Sequence, residues 1–141
     1  MIEDWATYWS AHDTERLLTL FTADVLYEDV PMGATSHGIA ELRTFANEVF
    51  SRFPTIGFDL QSSVSDGANR GAAEWVMRGT RDLPGPRAAR TPVAVRGVSV
   101  FEFADGKIRR CSDYWDMVSY LNQLGSTSTH AHQSKPRYRR G

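Results

Sequence analysis

The hydrophobic period of this chain changes near Ile56, and that change limits the fold more than any other feature. Before it, apolar residues recur at helical spacing: Ile2, Trp5 and Trp9, then Leu17, Leu18 and Phe21, then Ile39, Leu42, Phe45, Val49 and Phe50. Asp13 is placed to cap the second of these helices. Between the second and third, Ala23 to His37 reads as a short strand followed by a Pro/Gly loop. After Ile56 the spacing becomes that of strands: Ile56 to Val64, an Asp66-Gly67 turn, Gly71 to Arg81, a loop at Leu83-Pro84-Gly85-Pro86-Arg87, then Val93 to Phe103. Asp105-Gly106 predicts a tight hairpin into a last strand, Ile108 to Trp115. Asp116 is expected to cap a short helix that ends at Gly125.

Helices followed by a run of strands is the α+β pattern. The expected architecture is a cone-shaped, curved mixed or antiparallel β-sheet wrapped around the N-terminal helices, with a pocket inside the cone. One domain is expected over residues 1–125. The segment 126–141 is polar and basic and reads as a disordered tail.

Composition narrows the function classes. The 141 residues are 41% hydrophobic and 11% aromatic with four tryptophans, enough for one packed core. No apolar run spans a bilayer and no signal-peptide pattern opens the chain, so a cytoplasmic protein without a membrane partner is expected. The net charge of −1 includes four tail cations, Lys135, Arg137, Arg139 and Arg140; without them the remainder is more acidic, which argues against nucleic acid as a partner. The tail reads as a solubilising end. The single Cys111 excludes an internal disulfide and reads as a buried inert thiol, and no Cys/His spacing resembles a metal site.

Two aspartates carry the chemical interest. Asp113 alternates with Cys111 and Trp115 on the last strand, which points it inward. A carboxylate in an apolar interior needs a partner or a purpose, because desolvation disfavours its charge. It is either a general acid/base or a structural ion-pair member with Arg78 or Arg81. Asp29, before Val30-Pro31-Met32-Gly33, either shapes the mouth of the cone or caps a turn. Val93, Val95, Gly97, Ser99, Phe101 and Phe103 share one face of the long strand, and Gly97 is expected to leave room for a ligand beside Ser99 and Phe101 or to ease curvature. Ala73, Trp75 and Met77 alternate on the preceding strand, either as a wall for a flat apolar ligand, with Trp115, or as plain core. Glu28 should point away from Asp29 into solvent, and the direction of Tyr27 is undecided. Neither His12 nor His37 is expected to be catalytic.

Phe21 to Asp29, Gly38-Ile39 with a helix ending near Phe53-Pro54, Asp105-Gly106-Lys107-Ile108, Asp113-Tyr114-Trp115-Asp116 and Leu121-Asn122-Gln123-Leu124-Gly125 together resemble the SnoaL-like polyketide cyclases of the nuclear transport factor two-like superfamily. The resemblance implies a cofactor-independent acid/base enzyme of secondary metabolism. It would act by cyclisation, isomerisation or dehydration on a small hydrophobic carbonyl or polyketide-like molecule, as a homodimer through the outer sheet face. It places the acid/base aspartate at Asp113, and Asp29 where ketosteroid isomerases keep their base. The oxyanion residues of those isomerases are absent: their places hold Trp5 and Ser99, which argues against steroid isomerisation. Gly97 and Ser99 also stand where the cyclases carry Gln and His. Two alternatives stay open, an epoxide hydrolase or epoxide-opening cyclase of the same fold, and a non-catalytic ligand-binding or dimerisation module.

Overall fold

The computed structural model describes residues 1–82 and 90–125. The loop expected at Leu83 to Arg87 and the tail expected after Gly125 lie outside the described residues. Helices α1 (Ile2–Ser10), α2 (Thr14–Leu18) and α3 (Gly38–Arg52) enclose strands β1 (Phe21–Asp29) and β2 (Ala34–His37); then come β3 (Gly57–Ser65), β4 (Arg70–Asp82), β5 (Arg90–Ala104), β6 (Lys107–Trp115) and α4 (Met117–Gln123). The six strands form one curved open sheet in the order β2-β1-β6-β5-β4-β3. All neighbours are antiparallel except β1 and β6. The α+β expectation holds, with one extension: the Ala23 to His37 segment is a hairpin of two strands, so Val30 to Gly33 is its turn.

The element ends follow local chemistry. Asp13 accepts from the Arg16 amide at 3.1 Å and caps α2. Asp116 accepts from the Ser119 amide at 3.0 Å and caps α4. Asp105 and Gly106 both take positive φ, 53° and 73°, the backbone a two-residue hairpin requires. Gln123 pairs with the edge of β5 through both ends of its amide: it accepts from the Ala94 amide at 2.7 Å and donates to the Ala94 carbonyl at 2.8 Å. That pairing ties α4 to β5.

The core lies between the helices and the concave sheet face. Trp5 meets Phe101 edge-on at 5.4 Å between centroids, and Trp9 meets Phe50 at 5.4 Å. The apolar face of α3 is divided. Leu42 and Ala46 are fully buried in the core, whereas Phe45 and Val49 line an internal cavity.

The space left by Gly97 is filled, which corrects the expectation of ligand room there. Gly97 faces Trp75 across the β4–β5 ladder, and a Cβ at Gly97 would lie 2.4 Å from the end of the Trp75 ring. That ring cannot swing aside without breaking the 2.9 Å bond from its Nε1 to Ser99 Oγ. Gly97→Ala is therefore expected to destabilise the protein by about 1–3 kcal/mol through overpacking. The measurement is the urea midpoint at constant m-value, and an unchanged midpoint would refute this account of Gly97.

Candidate active site

Asp113 and Asp29 face the same cavity because of strand register. In the parallel β1–β6 pair, Asp29 stands directly opposite Asp113, so alternation sends both side chains inward. They share the lining of a cavity of about 230 Å³. Its walls are largely aromatic: Trp9 and Phe45 come from the helices, and Phe58, Trp75 and Trp115 from the sheet, together with Met77. The sequence-predicted residues Trp75, Met77 and Trp115 thus lie together at the cavity. Gly97, Ser99 and Phe101 do not line it: Gly97 is covered by Trp75, Phe101 is core, and Ser99 is fully buried behind the wall.

Ser99 still reaches the site. Its hydroxyl donates to Asp113 Oδ1 at 2.6 Å while accepting from Trp75 Nε1 at 2.9 Å. Tyr27 donates its phenol to Asp113 Oδ2 at 2.5 Å, and the Cys111 thiol approaches Oδ1 at 3.4 Å. Neither arginine weighed as an ion-pair partner is present. Arg78 pairs with Asp59 at 2.7 Å, and Arg81 bonds to the Tyr120 hydroxyl. The burial of Asp113 is thus supported by neutral donors alone among the described residues. Tyr27 is the site residue that sequence reasoning left undecided; Val25, Tyr27 and Asp29 alternate against Leu26 and Glu28, and reading that segment as a full strand would have placed it. Glu28, expected in solvent, is instead half-buried, accepting from Ser112 at 2.8 Å and pairing with Arg110 at 3.2 Å.

Desolvation dominates the electrostatics. It pushes the Asp113 carboxyl up to about 6 against the hydrogen bonds from Ser99 and Tyr27, and the nearby Asp29 charge adds to the rise. The Asp29 carboxyl is also raised by burial, opposed by Trp115 Nε1, which donates to its Oδ1 at 2.8 Å, and by the Met32 amide. Burial and the Asp113 charge push the Tyr27 phenol and the Cys111 thiol well above their ordinary ranges, so both stay protonated donors. The inert thiol expected at Cys111 matches this environment. His12 is structural in its contacts: its Nε2 lies 2.9 Å from the Ile56 carbonyl and its ring stacks on Phe50 at 4.3 Å.

Asp113 Oδ1 is occupied by Ser99 and Cys111, whereas Oδ2 meets Tyr27 alone among the described residues. Oδ2 therefore keeps a lone pair for a substrate proton. No cluster of three or more His, Cys, Asp or Glu side chains suited to a metal ion occurs among the described residues.

The raised carboxyls fix the sign of a stability dependence on pH. The native state holds the Asp113 proton more tightly than the unfolded chain, so its contribution is fully present below about 3.8 and lost as pH rises through about 6. Keeping the charge buried at pH 7 costs on the order of 3 kcal/mol by the size of that rise. Stability is expected to increase from pH 7 to pH 5, less steeply in Asp113→Asn, with the raised Asp29 leaving a residual slope. Below that range the exposed Asp66 and Glu15, lowered by bonds from the Arg70 amide and the Arg43 guanidinium, act in the opposite sense. Urea unfolding across pH 5–7 tests this, and a wild-type curve parallel to that of Asp113→Asn would contradict it.

The SnoaL-like domain family matches residues 2–111, a span that contains Tyr27, Asp29, Trp75 and Ser99 and ends just before Asp113. Among solved structures, a hypothetical protein with a ketosteroid isomerase-like fold from Catenulispora acidiphila, in complex with trimethylamine, superposes with a TM-score of 0.78 at 25% identity, over 88% of this chain and 91% of that one. A candidate polyketide cyclase from Xanthomonas campestris superposes at 0.78 with 20% identity, over 87% and 93%. IdmH, a candidate polyketide cyclase from Streptomyces antibioticus, superposes at 0.76 with 19% identity, over 88% and 95%. Among curated proteins none matches the chain. No described helix is long and apolar enough to cross a membrane. With the family match spanning most of the sheet and helices, and with a six-stranded curved sheet that superposes on ketosteroid isomerase-like structures, the chain belongs to the SnoaL-like family.

Proposed function

We propose that the protein is a cofactor-independent acid/base catalyst of the cyclase or isomerase type, acting on an apolar carbonyl compound. The observation that carries this reading is a carboxylate buried against an aromatic cavity with no cationic partner among the described residues. A carboxyl near 6 is ionised enough at neutral pH to accept a proton and acidic enough to return it. In this reading Asp113 Oδ2 takes a proton from the carbon beside the substrate carbonyl, and the C–H electron pair moves into an enolate. The enolate carbon then attacks a second carbonyl, closing a ring, or is reprotonated elsewhere, moving a double bond. Asp113 returns the proton in either case. Asp29, held by Trp115, shares the proton transfer or orients a hydroxyl group. Ser99 and Tyr27 are positioning residues that keep Asp113 in one rotamer.

Enolisation is the step common to both outcomes, so it can be measured without the natural substrate. Wild type is expected to accelerate exchange of the α-protons of 2-tetralone for deuterium, with a rate that rises through an apparent pKa near 6. Asp113→Asn is expected to lower that acceleration by about 10²–10⁴-fold. Equal exchange rates in the two proteins, both folded by circular dichroism, would sink the assignment of Asp113 as the base and favour a ligand-binding module.

We also propose a homodimer through the outer sheet face. There Val98, 37% exposed, pairs across strands with Tyr114, 46% exposed, and the patch is flanked by the 3.8 Å pair of Arg96 and Glu74. Val98→Glu is expected to shift the protein to monomer in light scattering. A wild type that is already monomeric would contradict this.

A further inference from the structure

Asp29 and Asp113 stand level with each other in the sheet, whereas Arg81, which lines the same cavity, belongs further along β4. Ala73, Trp75, Met77, Gly79 and Arg81 alternate along the inner face of β4, and Ala73 is level with Asp113 through Ser99. Arg81 therefore lies far down the strand from the aspartates, yet it still lines the cavity. It is half-buried and held in a defined position: its Nη1 donates to the Tyr120 hydroxyl, and its guanidinium lies 5.7 Å from the centre of the Phe53 ring and 5.9 Å from that of Tyr120.

What Arg81 lacks is an anion. Among the described residues no carboxylate lies within ion-pair distance of it, and none accepts a hydrogen bond from its Nε or Nη2. Every other arginine of β4 and β5 among the described residues has a carboxylate partner: Arg70 has Glu102, Arg78 has Asp59, Arg90 has Asp82 and Arg96 has Glu74. Arg52, exposed in the last turn of α3, lines the same cavity and has no ion-pair partner among the described residues. Glu48, one turn earlier, is exposed at the cavity as well and likewise makes no ion pair with a described residue. A guanidinium locked by aromatic rings presents its Nε–Nη2 edge as a planar two-donor fork, the shape that a carboxylate matches.

We propose that the ligand of this cavity is an aromatic or conjugated carboxylic acid, its rings between the aromatic walls, its carbonyl toward Asp113 and its carboxylate on the Nε–Nη2 edge of Arg81. The inference rests on the reading of the cavity as the substrate site and adds the charge class of the substrate. Arg52 and Glu48, both exposed on α3 at the cavity, carry opposite charges and leave the held guanidinium of Arg81 as the partner of the carboxylate.

The test compares 2-naphthoate with its neutral amide, 2-naphthamide, by quenching of the cavity tryptophans. Wild type is expected to bind the acid about tenfold more tightly than the amide, as a charge-assisted pair of bonds allows. In Arg81→Met that preference should vanish while amide binding stays within about twofold, which also reports that the cavity is intact. Because Arg81 ties β4 to α4, Arg81→Lys is measured beside it; it keeps the charge but not the fork, and its preference should fall to about threefold. Equal binding of acid and amide by wild type, or a full preference surviving in Arg81→Lys or Arg81→Met, overturns the proposal while leaving the cavity as a ligand site. Failure of wild type to bind either compound overturns the proposal together with the reading of the cavity on which it rests.

Discussion

A carboxylate can be buried beneath a wall of aromatic rings only if something answers its lost hydration, and the site is organised around how that is done at Asp113. No cation answers it among the described residues; the donors are a phenol, a serine hydroxyl and a weak thiol. Neutral donors recover part of the solvation energy without forming an ion pair that would fix the group as an anion, and desolvation shifts its titration up to about 6. The same group paired with Arg78 or Arg81 would be a strut. The sheet avoids this by giving Arg78 to Asp59 on its edge and Arg81 to the rings of Phe53 and Tyr120.

The rest of the architecture serves that environment. The parallel β1–β6 pair brings Tyr27 and Asp29 beside Cys111 and Asp113, so one strand contact supplies both a donor and a second carboxylate. On the other side of Asp113, β5 contributes Ser99, whose hydroxyl is oriented in turn by Trp75. Trp75 reaches that position because Gly97 has no side chain. The glycine thus acts on the aspartate through two intermediates, tryptophan and serine, although it touches neither the cavity nor the carboxylate.

How much of this was legible in the sequence depended on whether alternation alone settled a residue's direction. Asp113 was legible, since Cys111 and Trp115 mark its face, and so were the caps at Asp13 and Asp116 and the hairpin at Asp105-Gly106, which are local. The contact between Gly97 and Trp75 was not. It depends on the β4–β5 register, which the sequence does not mark with a two-residue turn signal such as Asp105-Gly106 between β5 and β6. Tyr27 was hidden for a different reason: Ala23 to His37 reads as a short strand and a loop, and only the full strand Phe21–Asp29 puts Tyr27 on the face of Asp29. The aromatic residues near the start of the chain were legible as apolar but not as to role. Trp9 lines the cavity whereas Trp5 is sealed in the core, and neither indole Nε1 has a hydrogen-bond partner among the described residues.

The proposed role of Asp113 depends on its being a desolvated carboxylate that feels the charge of Asp29 in one cavity. The most direct measurement is the titration of the Asp113 carboxyl carbon by NMR in wild type and in Asp29→Asn. A midpoint near 6 is expected in wild type and a lower one in the variant, where the neighbouring charge is gone. A midpoint at or below the ordinary value of about 3.9 in both proteins would contradict it, because a carboxylate that ionises so readily is either solvated or paired.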